Sequence, residues 1–121
     1  MSGFILTQNS PTNQQVLADA KNAFKKKSYH LKEQQVDIGT YTLTYYEDLF
    51  HHKRNIYQDE CGDVFFYAGF LGYNSKQGKE ALLAIKEDLD KKMPLQNMEF
   101  HGNFLLIAYH KGSLKIVRDL F

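Results

Sequence analysis

The sequence predicts an α+β fold in which layered, mostly antiparallel sheets are covered by helices. Three observations lead to this prediction: strand-like and helix-like segments alternate, two runs are apolar without interruption, and the last segment has the pattern of a β-hairpin. The chain has 121 residues, of which 43% are hydrophobic, enough for one core. We therefore predict a single domain over residues 1–121.

Residues 102–119 have the pattern of one β-hairpin, with an apolar run at 104–109, a turn around Lys111 and Gly112, and a returning strand from Leu114. Successive strand side chains point to opposite faces, so a run without polar alternation predicts a strand that is buried on both faces. Residues 64–71, VFFYAGFL, show the same pattern. These two strands should form the centre of the domain.

Two helices are predicted around a strand-rich middle. Ser10 and Pro11 form a helix start signal, and apolar residues then recur at helical spacing through residues 11–27. A second amphipathic pattern covers residues 75–93 and ends at Pro94. A short strand at residues 4–7 should precede the first helix. Residues 28–73 are rich in β-branched and aromatic side chains, which predicts two or three antiparallel strands with a bend or a bulge at Gly39.

Charge and cysteine content exclude several classes of function. The net charge is +1, without a basic run that would favour a nucleic-acid or membrane partner. The single cysteine, Cys61, cannot form an internal disulfide, and we see neither a leader nor a membrane span, so a cytoplasmic location is expected. Adjacent histidines on a strand point to opposite faces, so His51 and His52 are better explained as a solvated strand end than as ligands. We expect no metal site and no cofactor.

Two motifs carry a resemblance to a known family. The segment G-N-F at residues 102–104, followed by strand, turn, strand and R-D at 118–119, resembles the hairpin of the class II glutamine amidotransferase domain that begins asparagine synthetase. The start M-S-G-F is similar to the Met-Cys-Gly-apolar start of those domains. The resemblance implies a partial or reduced version of the N-terminal nucleophile hydrolase sandwich. It also implies that the chain is the N-terminal part of an asparagine synthetase-like protein.

The resemblance also implies site residues. Ser2 would be the nucleophile once Met1 is removed, with its own α-amine as the base. Gly69 and Asn74 would mark the oxyanion or substrate pocket. Ala68 stands where the family has an asparagine, and an alanine has no side-chain donor. The loss of one oxyanion donor lowers a rate by about a hundred- to thousandfold.

Further departures from the family concern the binding of glutamine. Serine replaces the nucleophilic cysteine, and the Arg-Gly-Pro-Asp and Ser-Asp-Thr-Glu segments have no counterpart. We therefore expect a degenerate amidotransferase-like domain with weak or absent glutaminase activity, and with a structural or recognition role. Its partner would be a second copy or a C-terminal synthetase domain. Two alternatives stay open: an active N-terminal serine amidohydrolase that uses Ser2, and an unrelated small binding or oligomerisation module.

Overall fold

A computed structural model describes residues 4–8, 18–20, 22, 31–48 and 55–118 of the chain. Two compact units make up the chain, Met1–Lys53 and Arg54–Phe121. That they belong to a single domain stays a prediction. In the described part of the chain, no helix is both long and apolar enough to cross a membrane.

The first unit contains an antiparallel sheet of β1 (Phe4–Gln8), β2 (Leu31–Ile38) and β3 (Tyr41–Asp48), in the order β1-β3-β2. Ile38 pairs with Tyr41, and the turn between them includes Gly39 at φ 60°, a conformation that glycine adopts without steric cost. The predicted bend at Gly39 is thus confirmed. Within the predicted first helix, positions 18–20 and 22 are helical, and the rest of it lies outside the described residues.

The second unit is built on a four-stranded antiparallel sheet in the order β10-β9-β5-β4. Its strands are β4 (Ile56–Gln58), β5 (Val64–Gly69), β9 (Phe104–His110) and β10 (Ser113–Arg118). A smaller sheet has the order β7-β6-β8, with β6 (Gly72–Tyr73), β7 (Lys76–Gln77) and β8 (Phe100–His101). Helix α1 (Lys79–Asp90) is followed by a single 3-10 turn, Leu95–Asn97.

The predicted hairpin is confirmed as β9 and β10. His110 pairs with Ser113 across a two-residue turn whose residues, Lys111 and Gly112, have φ angles of 49° and 79°. Two consecutive positive φ angles match the right-handed twist of the strands, which is why glycine follows lysine here. Neighbouring residues of β9, including Leu106 and Ile107, are buried, so both faces of the strand are covered as predicted.

One hydrophobic cluster joins α1 to the sheet. Leu82 and Ile85 of the helix are completely buried together with Phe65 of β5 and Leu106 of β9. The adjacent Phe66 is also buried, as expected for a strand that is covered on both faces. This cluster fixes the position of α1 and therefore of the polar side chains that its last turns carry.

The predicted fold class is wrong. Instead of layered sheets covered by helices, the described residues form a small β-rich fold with three small antiparallel sheets. Part of the reason lies in residues 75–78, which the sequence assigned to a helix. Asn74 and Ser75 have φ angles of 54° and 63° and form the turn between β6 and β7, and Gly78 has a φ of 63°. These left-handed residues prevent a helix from starting before Lys79.

Candidate functional site

A cavity of about 500 Å³ lies between the β6–β7 turn and the last turns of α1. Its volume is within the range of ligand sites in proteins. The strand β6 contributes Tyr73, the turn contributes Asn74 and Ser75, and α1 contributes Asp88. Met93 follows α1 and completes one side.

Tyr73 forms the rigid part of this cavity. Its side chain is buried, and its ring lies 5.4 Å from the ring of Phe100, which in turn lies 5.5 Å from that of Phe104. The hydroxyl donates a hydrogen bond to Asp88 Oδ2 at 2.5 Å and contacts Met93 Sδ at 3.8 Å. Burial, together with Asp88, raises the pKa of Tyr73 to about 12. At neutral pH the Tyr73 hydroxyl therefore keeps its proton and donates this hydrogen bond.

The cavity has a negative electrostatic character. Two carboxylates, Asp88 and Glu99, line it, and none of the described lining residues is a lysine or an arginine. Tyr73 occupies only Oδ2 of Asp88, and within the described part of the chain no donor contacts Oδ1.

The remaining lining combines apolar and neutral polar groups. Met93 is 40% exposed at the rim, whereas Met98 is buried. A thioether chain is flexible and polarisable, so it adapts its shape to an aliphatic ligand. Asn97 and His101 add further hydrogen-bonding groups. The arrangement can hold a cation that carries an apolar stem.

Of the site residues that the sequence predicted, the structure describes Gly69 and Asn74. Asn74 lines the cavity, but Gly69 is not among the described residues that do. Ser2 lies outside the described residues, and so do His51 and His52. The predicted nucleophile and the two histidines therefore stay predictions.

Gly69 ends β5 in a closed arrangement. It has a φ of 89°, and a Cβ atom at this position would overlap the backbone carbonyl of Asn103. The next amide, of Phe70, donates to that same carbonyl at 2.7 Å. Backbone from the β8–β9 turn thus packs directly against the predicted oxyanion turn.

Asp88 was missed by the sequence analysis, although a signal for it exists. The C-terminal end of a helix carries partial negative charge, so acidic residues are unfavourable there and basic ones are favoured. In α1 the last turn contains no basic residue, while Asp88 and Asp90 both lie near the end. Acidic residues in such a position are candidates for a role outside the helix itself.

A second polar cluster surrounds Asp90, the last residue of α1. Lys86 Nζ lies 2.8 Å from Asp90 Oδ2 and 3.4 Å from Asp59 Oδ2, and His110 Nε2 lies 2.8 Å from Asp90 Oδ1. Hydrogen bonds from Lys86, and then from His110, lower the pKa of Asp90 to about 2. The bond to Asp90 is the main cause that raises the pKa of Lys86. The cluster links α1, the β4–β5 turn and the β9–β10 hairpin.

The β4–β5 turn is organised by Asp59. Its Oδ1 accepts hydrogen bonds from the backbone amides of Cys61 and Asp63, with nitrogen–oxygen distances of 3.0 Å in both cases. Burial on its own would raise the pKa of Asp59, but hydrogen bonds from the Asp63 amide, from Lys86 and from the Cys61 amide lower it overall. Cys61 is exposed in this turn.

Comparison of the sequence with models of known protein families gives no match. Comparisons with curated proteins and with solved structures give no significant match either.

Proposed function

We propose that this chain is a non-catalytic recognition domain that binds a primary ammonium group on an alkyl stem, such as a lysine side chain of a partner peptide. The proposal rests on one observation: a cavity of about 500 Å³ has two carboxylates in its lining, while none of its described lining residues is a lysine or an arginine. Concave sites with a few oriented polar groups are where proteins bind ligands.

The chemistry of Asp88 favours a cationic ligand. The hydroxyl of Tyr73 donates to Oδ2 and fixes the orientation of the carboxylate, so Oδ1 needs no rearrangement to accept a ligand N–H. Hydrogen bonds between charged groups are about twice as strong as those between neutral groups. Glu99 adds a second negative charge to the same cavity. An anionic ligand would be repelled by both side chains.

The two methionines favour an alkyl stem on that cation. Met93 and Met98 line the cavity on the side where Met93 Sδ contacts the Tyr73 hydroxyl. Lysine side chains bury their methylene groups along apolar surfaces while the ammonium group remains in a polar environment. The neutral amides of Asn74 and Asn97 would then bind the backbone of the peptide.

The absence of glutaminase activity is part of the same proposal. The backbone of Asn103 packs against Gly69, and Ala68 offers no side-chain donor. We also propose that the domain is the cytoplasmic N-terminal part of an asparagine synthetase-like protein, with the β9–β10 hairpin between G-N-F and R-D as support. The partner peptide would come from a second copy, from a synthetase domain or from another protein.

The proposal is tested by isothermal titration calorimetry with two ligands of matched shape. Nα-acetyl-lysine methylamide should bind, whereas the neutral Nα-acetyl-norleucine methylamide should bind at least about tenfold more weakly, since it cannot form a charge-assisted bond to Asp88. The Asp88→Asn variant should lose the preference for the lysine ligand.

The matched control is Glu80→Gln, which removes one negative charge from the exposed first turn of α1, outside the cavity. It should bind both ligands as the unmodified chain does. Equal affinity for the two ligands, or an unchanged preference in Asp88→Asn, would contradict the proposal.

A further inference from the structure

Three side chains that are distant in sequence meet at one point of the second unit. Asp63 precedes β5, Asp90 ends α1 and His110 ends β9, and one potential ligand atom from each lies within 4.8 Å of the other two. Two carboxylates and one imidazole are a donor set that suits divalent transition-metal ions. This set is independent of the cavity that contains Tyr73.

Asp63 is the buried member of the set, with a side chain that is 8% exposed. The amide of Lys111 donates to Oδ1 at 3.0 Å and holds the carboxylate in place. Oδ2 lies 3.8 Å from His110 Nε2, which is too long for a hydrogen bond. A buried carboxylate oxygen and an imidazole nitrogen therefore face each other across a gap.

His110 directs the same nitrogen at both carboxylates. Nε2 lies 2.8 Å from Asp90 Oδ1 and 3.8 Å from Asp63 Oδ2. A ring nitrogen between two carboxylate oxygens must carry either a proton or a metal ion, since its lone pair would otherwise repel them. The ring lies 6.2 Å from that of Phe65, a fully buried side chain of β5.

The distances agree with a single ion after a small movement. Around a tetrahedral zinc ion with bonds of about 2.0–2.1 Å, ligand atoms lie about 3.3 Å apart. The two observed nitrogen–oxygen distances, 2.8 and 3.8 Å, lie on either side of this value. The side chain of Asp90 is 40% exposed and can move outward, while Asp63 stays fixed.

Lys86 is close to this point but does not occupy it. Its ammonium group contacts Oδ2 of Asp90, the oxygen that faces away from the histidine contact, and it also contacts Asp59. Lys86 therefore competes with a cation for the charge of Asp90 and not for the position between the three ligand atoms. Its removal should strengthen the binding of a metal ion.

We propose that Asp63, Asp90 and His110 together bind one divalent transition-metal ion, with the fourth position open to solvent. The probe is Zn²⁺ alone, added to the metal-free full chain and followed by isothermal titration calorimetry. We expect one bound ion per chain. His110→Gln and Asp90→Asn should each lower the affinity for Zn²⁺ by at least about tenfold, because each variant leaves only two of the three ligands to hold the ion.

Two further variants make the test specific. Lys86→Met should raise the affinity for Zn²⁺ about tenfold, a change that a purely structural ion-pair cluster would not produce. The double variant His51→Gln/His52→Gln should bind zinc as the unmodified chain does. These two adjacent histidines lie outside the proposed set and are the alternative place at which zinc could bind.

Three outcomes would overturn the proposal: no binding of zinc by the full chain, binding that is unchanged in a folded His110→Gln variant, or binding that is lost in the His51/His52 double variant. Circular dichroism of each metal-free variant verifies its fold. If His110→Gln does not fold, Asp90→Asn and Lys86→Met still decide the question, because their expected effects have opposite signs.

Discussion

The hydroxyl of Tyr73 and the carboxylate of Asp88 form a hydrogen bond of 2.5 Å that joins the smaller sheet to α1. The bond occupies one oxygen of Asp88, a residue that lines the cavity. Tyr73 is held by its contact with Phe100, so the carboxylate is oriented before any ligand arrives. Such preorganisation reduces the entropy that a binding partner would otherwise have to lose.

The first prediction concerns alkaline pH. The pKa of Tyr73 is raised from 10.0 to about 12 by burial and by Asp88. Since the folded state keeps a proton that the unfolded state releases, this contribution to stability is complete below pH 10 and is lost as the pH rises through 12. Tyrosinate absorbance should show a late-titrating fraction that decreases in Tyr73→Phe. Tyr46, whose pKa is also raised to about 12, and Tyr67, whose pKa is raised by burial, should account for what remains. If the tyrosinate titration curves of the unmodified chain and of Tyr73→Phe superimposed above the main titration step, this prediction would be contradicted.

The second prediction concerns the core under α1. Leu82 is completely buried in the cluster, whereas its neighbour Leu83 is 38% exposed. Leu82→Ala should lower the free energy of unfolding by about 2–5 kcal/mol because it leaves a cavity, and Leu83→Ala should change it by about 0.5 kcal/mol or less. Urea denaturation followed by circular dichroism measures both. Similar effects of the two substitutions would show that the helix face is assigned incorrectly.

The third prediction separates backbone strain from steric overlap. Gly69 and Gly112 both have positive φ angles, but a Cβ atom at Gly69 would meet the Asn103 carbonyl, while one at Gly112 would meet nothing within 4 Å. Gly112→Ala should lower the free energy of unfolding by about 1 kcal/mol, from φ strain alone. Gly69→Ala should lower it by about 3 kcal/mol or more. Thermal denaturation of both variants gives the comparison, and equal losses would argue against the tight contact with Asn103.

The fourth prediction concerns self-association. Strand β10 is an edge of the four-stranded sheet, and Ile116 on it is 55% exposed. Exposed edges with apolar side chains favour pairing with a further strand, and a lysine at such a position opposes it. We expect the sedimentation coefficient of the unmodified chain to rise with concentration and that of Ile116→Lys to stay constant. A constant coefficient for both proteins would leave the edge without a role in association.

The local parts of the fold could be predicted from the sequence, and the arrangement of its layers could not. The hairpin of β9 and β10, the bend at Gly39 and the burial of β5 depend on short patterns of apolar and turn residues. The start of α1 depends on left-handed conformations at Asn74 and Ser75, neither of which is a glycine. Asparagine and serine are both common in turns, but serine before an amphipathic pattern is also typical of a helix start, so the predicted helix began too early.

The candidate sites depend on contacts between distant segments. Asp63, Asp90 and His110 meet because β5 pairs with β9 and because α1 packs on the same sheet. Sequence spacing carries no information about such a meeting, so the expectation of no metal site was formed without it. Asn74 lines the cavity, whereas Gly69, which was expected beside it, belongs to the closed end of β5.

The measurement that tests the central claim most directly is a nuclear magnetic resonance titration of the ¹⁵N-labelled chain with Nα-acetyl-lysine methylamide. The account predicts that the amide signals of Tyr73, Asn74 and Asp88 shift together and saturate, and that the norleucine analogue leaves them in place. Shifts that are confined to other parts of the chain, or equal shifts with both ligands, would contradict the assignment of this cavity as a site for a cationic group.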